Sequence, residues 1–344
     1  MKNTNEKIIT IQDIADALGI SRNTASKALN GKYVPEKTRK QVLEKARELN
    51  YKSMLEINHN ETKSHRILIL SGRPLNNINY FYAIIKSIEN YCFKHNHQLF
   101  QYTFTENANS YEILSQYFSS LKINGIICIE TFEKNFIKKI LDFHIPTCFI
   151  DFNYIDDYFE YNYDIVQPDN WNPVFCFVNE NIQNEKMQHF CYVGDNKHCL
   201  SFSQRYLAML TALTYNKIEH QNSYDITIDD SEKCYSNPQL FKDLIIDKVP
   251  FPNCFICAND DIAKIVIYSL NLLKKQIPNE VMVLGFDDSF ESKLGGLSLS
   301  TVSVDKQLLG LTTIQTLINR IENPNSPSSK IYVKTKIIQR ETTK

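Results

Sequence analysis

Apolar residues near the start of the chain recur with helical spacing. Ile11, Ile14, Ala15 and Leu18 fall at i, i+3, i+4 and i+7, so they share one face of a short helix, with Thr10 placed to cap it and Gly19 to end it. Beyond Ile20, Ser21 is a second N-cap, and Ala25, Ala28 and Leu29 continue the pattern until Asn30-Gly31 closes it. A third helix is expected with Pro35 at its first position, Glu36 at the positive end of its dipole, and Val42, Ala46 and Leu49 as its buried stripe. Three such faces can share one small core. From residue 65 the pattern changes to short continuous apolar runs: RILIL (66–70), QLFQYTF (98–104), NGIICIE (124–130), IPTCFID (145–151), QHFCYVGD (188–195), YDITI (224–228), NCFICAND (253–260) and EVMVLGFDD (280–288). Amphipathic stretches such as 80–94 and 111–121 separate the early runs. Buried strands alternating with helices predict an α/β core with parallel sheets. Ligands of such sheets bind beyond the carboxyl ends of the strands, where the sequence places Asp151, Gly194-Asp195, Asn259-Asp260 and Asp287-Asp288.

Two short helices joined at a glycine match the helix-turn-helix pattern, whose second helix enters the major groove with its N-terminal residues at base edges. Arg22 and Asn23 occupy that first turn and Lys27 the next. An arginine can fork onto guanine and an asparagine onto adenine. Thr24, Ser26, Lys32, Thr38 and Arg39 suit phosphate contacts, which fix register without reading sequence. The alternative is an ordinary three-helix module with a solvated polar face. Charge favours the first reading. Residues 1–52 carry 11 Lys+Arg against 6 Asp+Glu and the remainder 27 against 33, an asymmetry that the whole-chain charge of −1 conceals. A basic module on an acidic body suits contact with a polyanion through one end.

At 344 residues and 43% hydrophobic content, the chain has material for two or three packed units. No apolar stretch approaches the roughly 18 residues of a membrane span, and the leader MKNTNEKIIT has no apolar segment, so a cytoplasmic location is expected. Nine cysteines without a compact framework fit a reducing compartment. As strand residues of odd separation, Cys254 and Cys257 point to opposite faces, and no second CxxC lies near; neither a metal nor a cofactor is expected. HNH at 95–97 reads as a solvated turn, YKSMLEINHNETKSH (51–65) as a linker or induced helix, and ENPNSPSSK (322–330) as an exposed connection.

Several stretches, in order along the chain, resemble landmarks of the LacI/GalR family of bacterial transcription regulators: TIQDIADALGISRNTASKALNG (10–31), ICANDDIA (256–263), VMVLGFDD (281–288), LSTVSVDKQLLG (299–310) and LINRIENP (317–324). The resemblance implies an α/β core of two periplasmic-binding-protein-like lobes with an N-terminal all-α helix-turn-helix domain. Its expected limits are 1–52 for the DNA-binding domain, 53–64 for the hinge and 65–344 for the core, with one lobe at 65–163 plus 294–324 and the other at 164–293 plus 325–344. It implies no catalytic residues, a homodimer on double-stranded palindromic DNA, repression, no membrane, and a small effector of the sugar class between the lobes. By position it assigns base reading to Arg22, Asn23 and Lys27, where Lys27 replaces the family's usual arginine. It assigns the effector to Asp151, Arg205, Asn259 and Asp287, with Tyr80 and Phe81 as aromatic walls. A guanidinium fork, hydroxyl-accepting carboxylates, an amide and apolar ring contacts are the chemistry a polyol needs. The hinge departs from the family: the stretch LEINHN (55–60) puts Asn60 near the usual minor-groove leucine, so an apolar wedge is absent or moved to Ile57. Two other readings stay open. One keeps DNA binding without a small-molecule effector; the other is an enzyme using Asp260, Asp261, Asp287 and Asp288, although the chain has no Walker loop, GxSxG elbow or metal-ligand cluster.

Overall fold

Thr10 and Asp13 cap the first helix, α1 (Ile11–Leu18), reciprocally: the Asp13 N–H donates to Thr10 Oγ1 at 3.3 Å and the Thr10 N–H to Asp13 Oδ2 at 2.8 Å. This computed structural model describes residues 9–29, 32–49, 51, 64–72, 78–104, 110–153, 160–184, 187–229, 234–293 and 297–344. It divides into two units between Ser64 and His65. In the first, Gly19 ends α1 at φ 66, a left-handed conformation that glycine adopts without penalty. Helix α2 (Arg22–Leu29) starts with the Thr24 N–H donating to Ser21 Oγ at 3.0 Å. Helix α3 spans Glu36–Glu48, so Pro35 precedes the helix instead of opening it; the Pro35 carbonyl accepts the Arg39 N–H. Ile14, Ala28, Leu29, Val42 and Ala46 form the core these helices share.

The second unit holds two sheets. The first contains β1 (Arg66–Ser71), β2 (Gln98–Thr103), β3 (Gly125–Ile129), β4 (Thr147–Ile150), β5 (Asp164–Pro168) and β10 (Lys330–Val333), all parallel, in the order β10-β5-β4-β3-β1-β2. Alternation along β1 serves both faces. Ile67 and Ile69 share a core with Ile84 and Ile88 of helix α4 (Ile78–Lys94) and Leu309, Ile314 and Leu317 of α11 (Lys306–Glu322). Leu68 and Leu70 join Leu114 and Phe118 of α5 (Ser110–Leu121) and Phe136, Ile137 and Ile140 of α6 (Lys134–Leu141). The second sheet runs β11-β9-β8-β7-β6, from β6 (Phe190–Val193), β7 (Cys254–Cys257), β8 (Met282–Asp287), β9 (Ser300–Ser303) and β11 (Lys336–Ile338). Among the described residues of this sheet, the β11–β9 pair is antiparallel and the others are parallel. Its helices are α7 (Asn172–Gln183), α8 (Leu200–Tyr215), α9 (Pro238–Ile245) and α10 (Asp260–Leu272).

This topology moves the lobe limits expected from the sequence. β5 begins at Asp164 but pairs with β4, so the first lobe continues through Pro168; β9 pairs with β8 in the second lobe, and β10 returns to the first. The chain therefore crosses between lobes at 169–171, 304–305 and 334–335. Short parallel strands with partly exposed flanks, such as Lys330–Val333, lack the apolar continuity that marked the central ones. The expected strand at 224–228 is absent: only Ile226 bridges Val193, because Asn222–Tyr224 forms a 3₁₀ turn. The 95–97 segment is more than a solvated turn. Tyr91 stacks on His95 at 4.2 Å, and His97 Nδ1 accepts the backbone N–H of His65 at 3.2 Å. Burial, with His65 and His95 nearby, lowers His97 to about 4.

The exposed connection 323–329 is anchored from beneath by a buried ion pair. Asp164 Oδ2 accepts Arg320 Nε at 2.9 Å, and Oδ1 accepts Arg320 Nη2 at 2.8 Å and the Ser329 N–H and hydroxyl at 2.8 and 2.6 Å. Arg320 also donates to the carbonyls of Ser326 and Pro327. Removing one partner strands the other charge. Asp164→Ala should accordingly cost about 3–5 kcal/mol in urea unfolding; a loss below about 1 kcal/mol would mean water reaches Arg320 without strain.

Candidate functional site

The first unit presents a polar helix face. Arg22, Asn23 and Lys27 are exposed on α2, opposite the buried Ala25, Ala28 and Leu29, and at 100° per residue they lie within about 140° of arc. Thr24 and Ser26 are half-buried beside them, and the Thr24 hydroxyl shares a hydrogen bond with Ser21 at 2.8 Å. Lys32 is exposed, Thr38 half-buried, and Arg39 donates to the Lys32 carbonyl at 2.7 Å, bracing the turn that carries Lys32. Ile57 and Asn60 lie outside the described residues.

The second unit gathers polar groups beyond the strand ends. Glu130 after β3, Asp151 after β4 and Asp287 at the end of β8 have φ of 53, 60 and 114. Non-glycine residues pay for such conformations, and they cluster at ligand sites. Arg205, on α8, is buried at 4% exposure. Its Nε donates to Asn170 Oδ1 at 3.0 Å, Nη1 donates to the Ala258 carbonyl, and its Cζ lies 3.5 Å from the Phe286 ring centroid. These contacts leave Nη2 as an uncommitted donor among the described residues. Asn170 itself is fixed by donating to Ser201 Oγ and Gln204 Oε1, both at 3.0 Å.

Asp287 faces this guanidinium without a hydrogen-bond donor to its carboxyl among the described residues. Burial holds it up to about 8; Asp260 and Asp261 push the same way, while Arg205 and Lys306 oppose. Asp260 is pinned behind it, accepting the Thr301 hydroxyl at 2.5 Å and the Ser289 N–H at 2.7 Å, with burial raising it to about 6. Gly285 makes this approach possible, since a Cβ there would stand 2.3 Å from Asp260 Oδ1. Tyr80 completes the group: burial raises its hydroxyl well above the usual range, and Asp287, Arg205, Asp151 and Glu130 all act on it electrostatically. Phe81 meets Tyr80 edge to face at 5.1 Å.

The remaining assigned residues have structural employment as well. Asn259 Oδ1 caps α10 by accepting the Ile262 N–H at 2.9 Å, next to the Ala258 carbonyl that holds Arg205. Asp151 Oδ1 accepts the N–H groups of Phe152 at 2.8 Å and Ser201 at 3.2 Å, and the Phe152 carbonyl accepts the Leu200 N–H at 2.8 Å. A residue of the first lobe thus caps a helix of the second; Phe132 and His198 also meet across it, at 5.0 Å. Tyr80, Asp151, Arg205 and Asp287 are brought together, with Phe81 and Asn259 flanking them. Asn170, Phe286 and Lys306 belong to the same site and were not singled out by the sequence. Phe286 and Lys306 lie inside motifs noted for other residues, whereas Asn170 falls at a lobe crossing that no periodicity marked.

Comparison with known proteins agrees with this geometry. Residues 10–53 match the model of bacterial regulatory proteins of the lacI family, and residues 181–343 match that of periplasmic binding protein-like domains. The chain is similar, at 22% identity over 97% of its length and 99% of the relative's, to an HTH-type transcriptional repressor PurR of Histophilus somni (strain 2336). Among solved structures it is similar to the transcriptional regulator CelR in complex with cellobiose, with a TM-score of 0.69 and 17% identity over 97% of this chain and 99% of that one. It is also similar to the lac repressor dimer bound to operator and the anti-inducer ONPF, with a TM-score of 0.64 and 17% identity over 98% and 99%. Fold and family matches define a DNA-binding regulator, not an enzyme, with a two-lobed ligand-binding type of core. The chain thus carries a DNA-binding domain of the lacI-family type followed by a periplasmic binding protein-like domain. Among the described residues, no helix is long and apolar enough to cross a membrane.

Asp287 makes stability depend on pH. Its folded value of about 8 lies above the ordinary 3.8, so the stabilisation it gives is present in acid and is lost as pH rises toward 8. Asp287→Asn should therefore melt at least about 2 °C higher than the parent at pH 8. The gap should shrink to nothing near pH 4; a gap independent of pH would show that Asp287 is not buried as described.

Proposed function

We propose that the protein is a homodimeric repressor that reads a palindromic operator with Arg22, Asn23 and Lys27 and adjusts its hold on it when a sugar-class effector enters between the core lobes. Thr24, Ser26, Lys32 and Thr38 supply phosphate contacts, and Arg39 positions Lys32. The observation that carries the effector half is the pairing of Arg205, immobilised with Nη2 uncommitted, with the Asp287 carboxyl that no described residue satisfies. A polyol supplies the missing partners: one hydroxyl oxygen accepts from Arg205 and its neighbour bonds to Asp287, while the Tyr80 face covers the ring. The cellobiose complex of the similar regulator CelR supports the sugar class. Coupling follows from differential affinity, since a ligand that binds one lobe arrangement better shifts the population toward it. The same arrangement must then hold the two headpieces at a spacing that suits or frustrates half-sites one helical turn or a multiple apart.

One observation favours a regulator without a small-molecule effector. Asp151 and the Phe152 carbonyl tie the start of α8 across the lobes through protein groups alone. In that reading these bonds fix the lobes and control lies elsewhere.

Selection of bound sequences from a random DNA pool, with and without a panel of mono- and disaccharides, separates the two. A palindrome whose recovery changes with one sugar supports the effector reading; a palindrome indifferent to every sugar supports the second. Arg22→Ala and Lys27→Ala should each weaken binding to the selected site by about 1–3 kcal/mol and relax discrimination at single positions, measured by fluorescence anisotropy against substituted sites. Arg205→Ala should abolish the sugar response and leave operator affinity intact; loss of both would mark Arg205 as a structural residue only.

A further inference from the structure

Lys306 is the first residue of α11, a helix packed on the first lobe, yet its ammonium reaches the second. It donates to the Asp287 carbonyl at 2.6 Å and lies 3.4 Å from the Asp288 carbonyl. The same ammonium lies 5.4 Å from the ring centroid of Tyr80, on the first-lobe helix α4. The backbone it grips is unusual, because Asp287 and Asp288 have consecutive positive φ values of 114 and 49. Other ties hold this turn only from the second lobe. Arg340 reaches Asp288 Oδ1 at 2.5 Å, Ser303 donates to Asp288 Oδ2 at 3.2 Å, the Asp288 N–H donates to Thr301 at 3.3 Å, and Asp260 takes the Ser289 N–H. These side-chain ties act on Asp288 or Ser289, while the Asp287 backbone pairs with Ser303 in the β8–β9 ladder. Lys306 acts on Asp287 itself, from the start of a first-lobe helix.

We propose that Lys306 is a positioning residue of the effector site: it holds the left-handed turn that aims the Asp287 carboxyl and sets that carboxyl beside Tyr80. The role rests on the reading of Asp287 as an effector group, but not on which effector it meets. A cation beside a carboxyl also favours ionisation, so Lys306 acts on the Asp287 proton as well as on its position. That proton answers to Arg205 from α8, Asp260 and Asp261 from α10 and Lys306 from α11, and Asp287 in turn acts on Tyr80 of α4, which also feels Asp151 and Glu130. Among these Arg205 and Lys306 are the cations, and Arg205 is committed to Asn170, Ala258 and Phe286.

The test needs no effector. Carboxyl-carbon NMR of the full-length protein labelled at aspartate, with Asp287→Asn to assign the resonance, follows the Asp287 titration in the parent, Lys306→Met and Lys306→Arg. Lys306→Met should raise the midpoint by roughly one pH unit and broaden or shift the resonance, and Lys306→Arg should return it close to the parent. A purely packing role would move melting temperature in both variants and leave the midpoint in place. Should Lys306→Met fold too poorly to titrate, Lys306→Gln, which keeps a donor but no charge, reads the same midpoint. An unchanged midpoint in the uncharged variant, or one raised equally in Lys306→Arg, overturns the proposal. A failed sugar screen would leave this titration as informative as before, so the two readings fail separately.

Discussion

A buried guanidinium organises the core. Arg205 lies away from water with two of its nitrogens bonded and one face of its guanidinium covered, and those contacts come from three places. Asn170 comes from the first lobe crossing, the Ala258 carbonyl from the end of β7, and the Phe286 ring from β8. Satisfying one charge therefore fixes the relative positions of a crossing, two strands and α8. The carboxyl of Asp287 is the neighbour left over, and its high proton affinity follows from burial, which outweighs the opposing charge of Arg205. The site is prepared by what its arginine has already bonded.

The headpiece was legible in the sequence nearly residue by residue because each of its helices has a local cause. A capping pair, a glycine with φ of 66 and a three-residue apolar stripe are all short-range features. The central strands were legible for a similar reason: β1, β3, β4, β7 and β8 are buried through most of their length and read as unbroken apolar runs. What the sequence hid is what depends on partners far along the chain. β10 is too short and too exposed, as an edge strand, to stand out as a buried run, and only its pairing with β5 defines it. YDITI looks like a strand by composition, but Asp225 is held by accepting the Tyr192 N–H at 2.8 Å, and this turns the segment aside after one bridge.

The site divides along the same line. Asp151, Arg205, Asn259 and Asp287 stood out because strand-end acids and motif residues are visible one at a time. Their second attachments were not. Asp151 caps a helix of the opposite lobe, 50 residues along the chain, and that bond has no signature in spacing. Asn170 and Lys306 escaped notice because each acts through a partner, at 35 residues' remove for Arg205 and 19 for Asp287. Isolated polar residues in loops carry no pattern until the fold closes around them.

The threefold crossing of the chain has a consequence for synthesis. As the polypeptide emerges from its N-terminus, β1 to β5 can assemble, but α11, which covers Ile67 and Ile69, and β10, which covers the edge of β5, appear only after nearly all of the second lobe. For that interval the first sheet has one apolar face partly bare and one open strand edge. Such surfaces are where partly made chains stick to one another. β5 and β10 meet only at the end, so the first lobe to begin is among the last parts of the molecule to be finished.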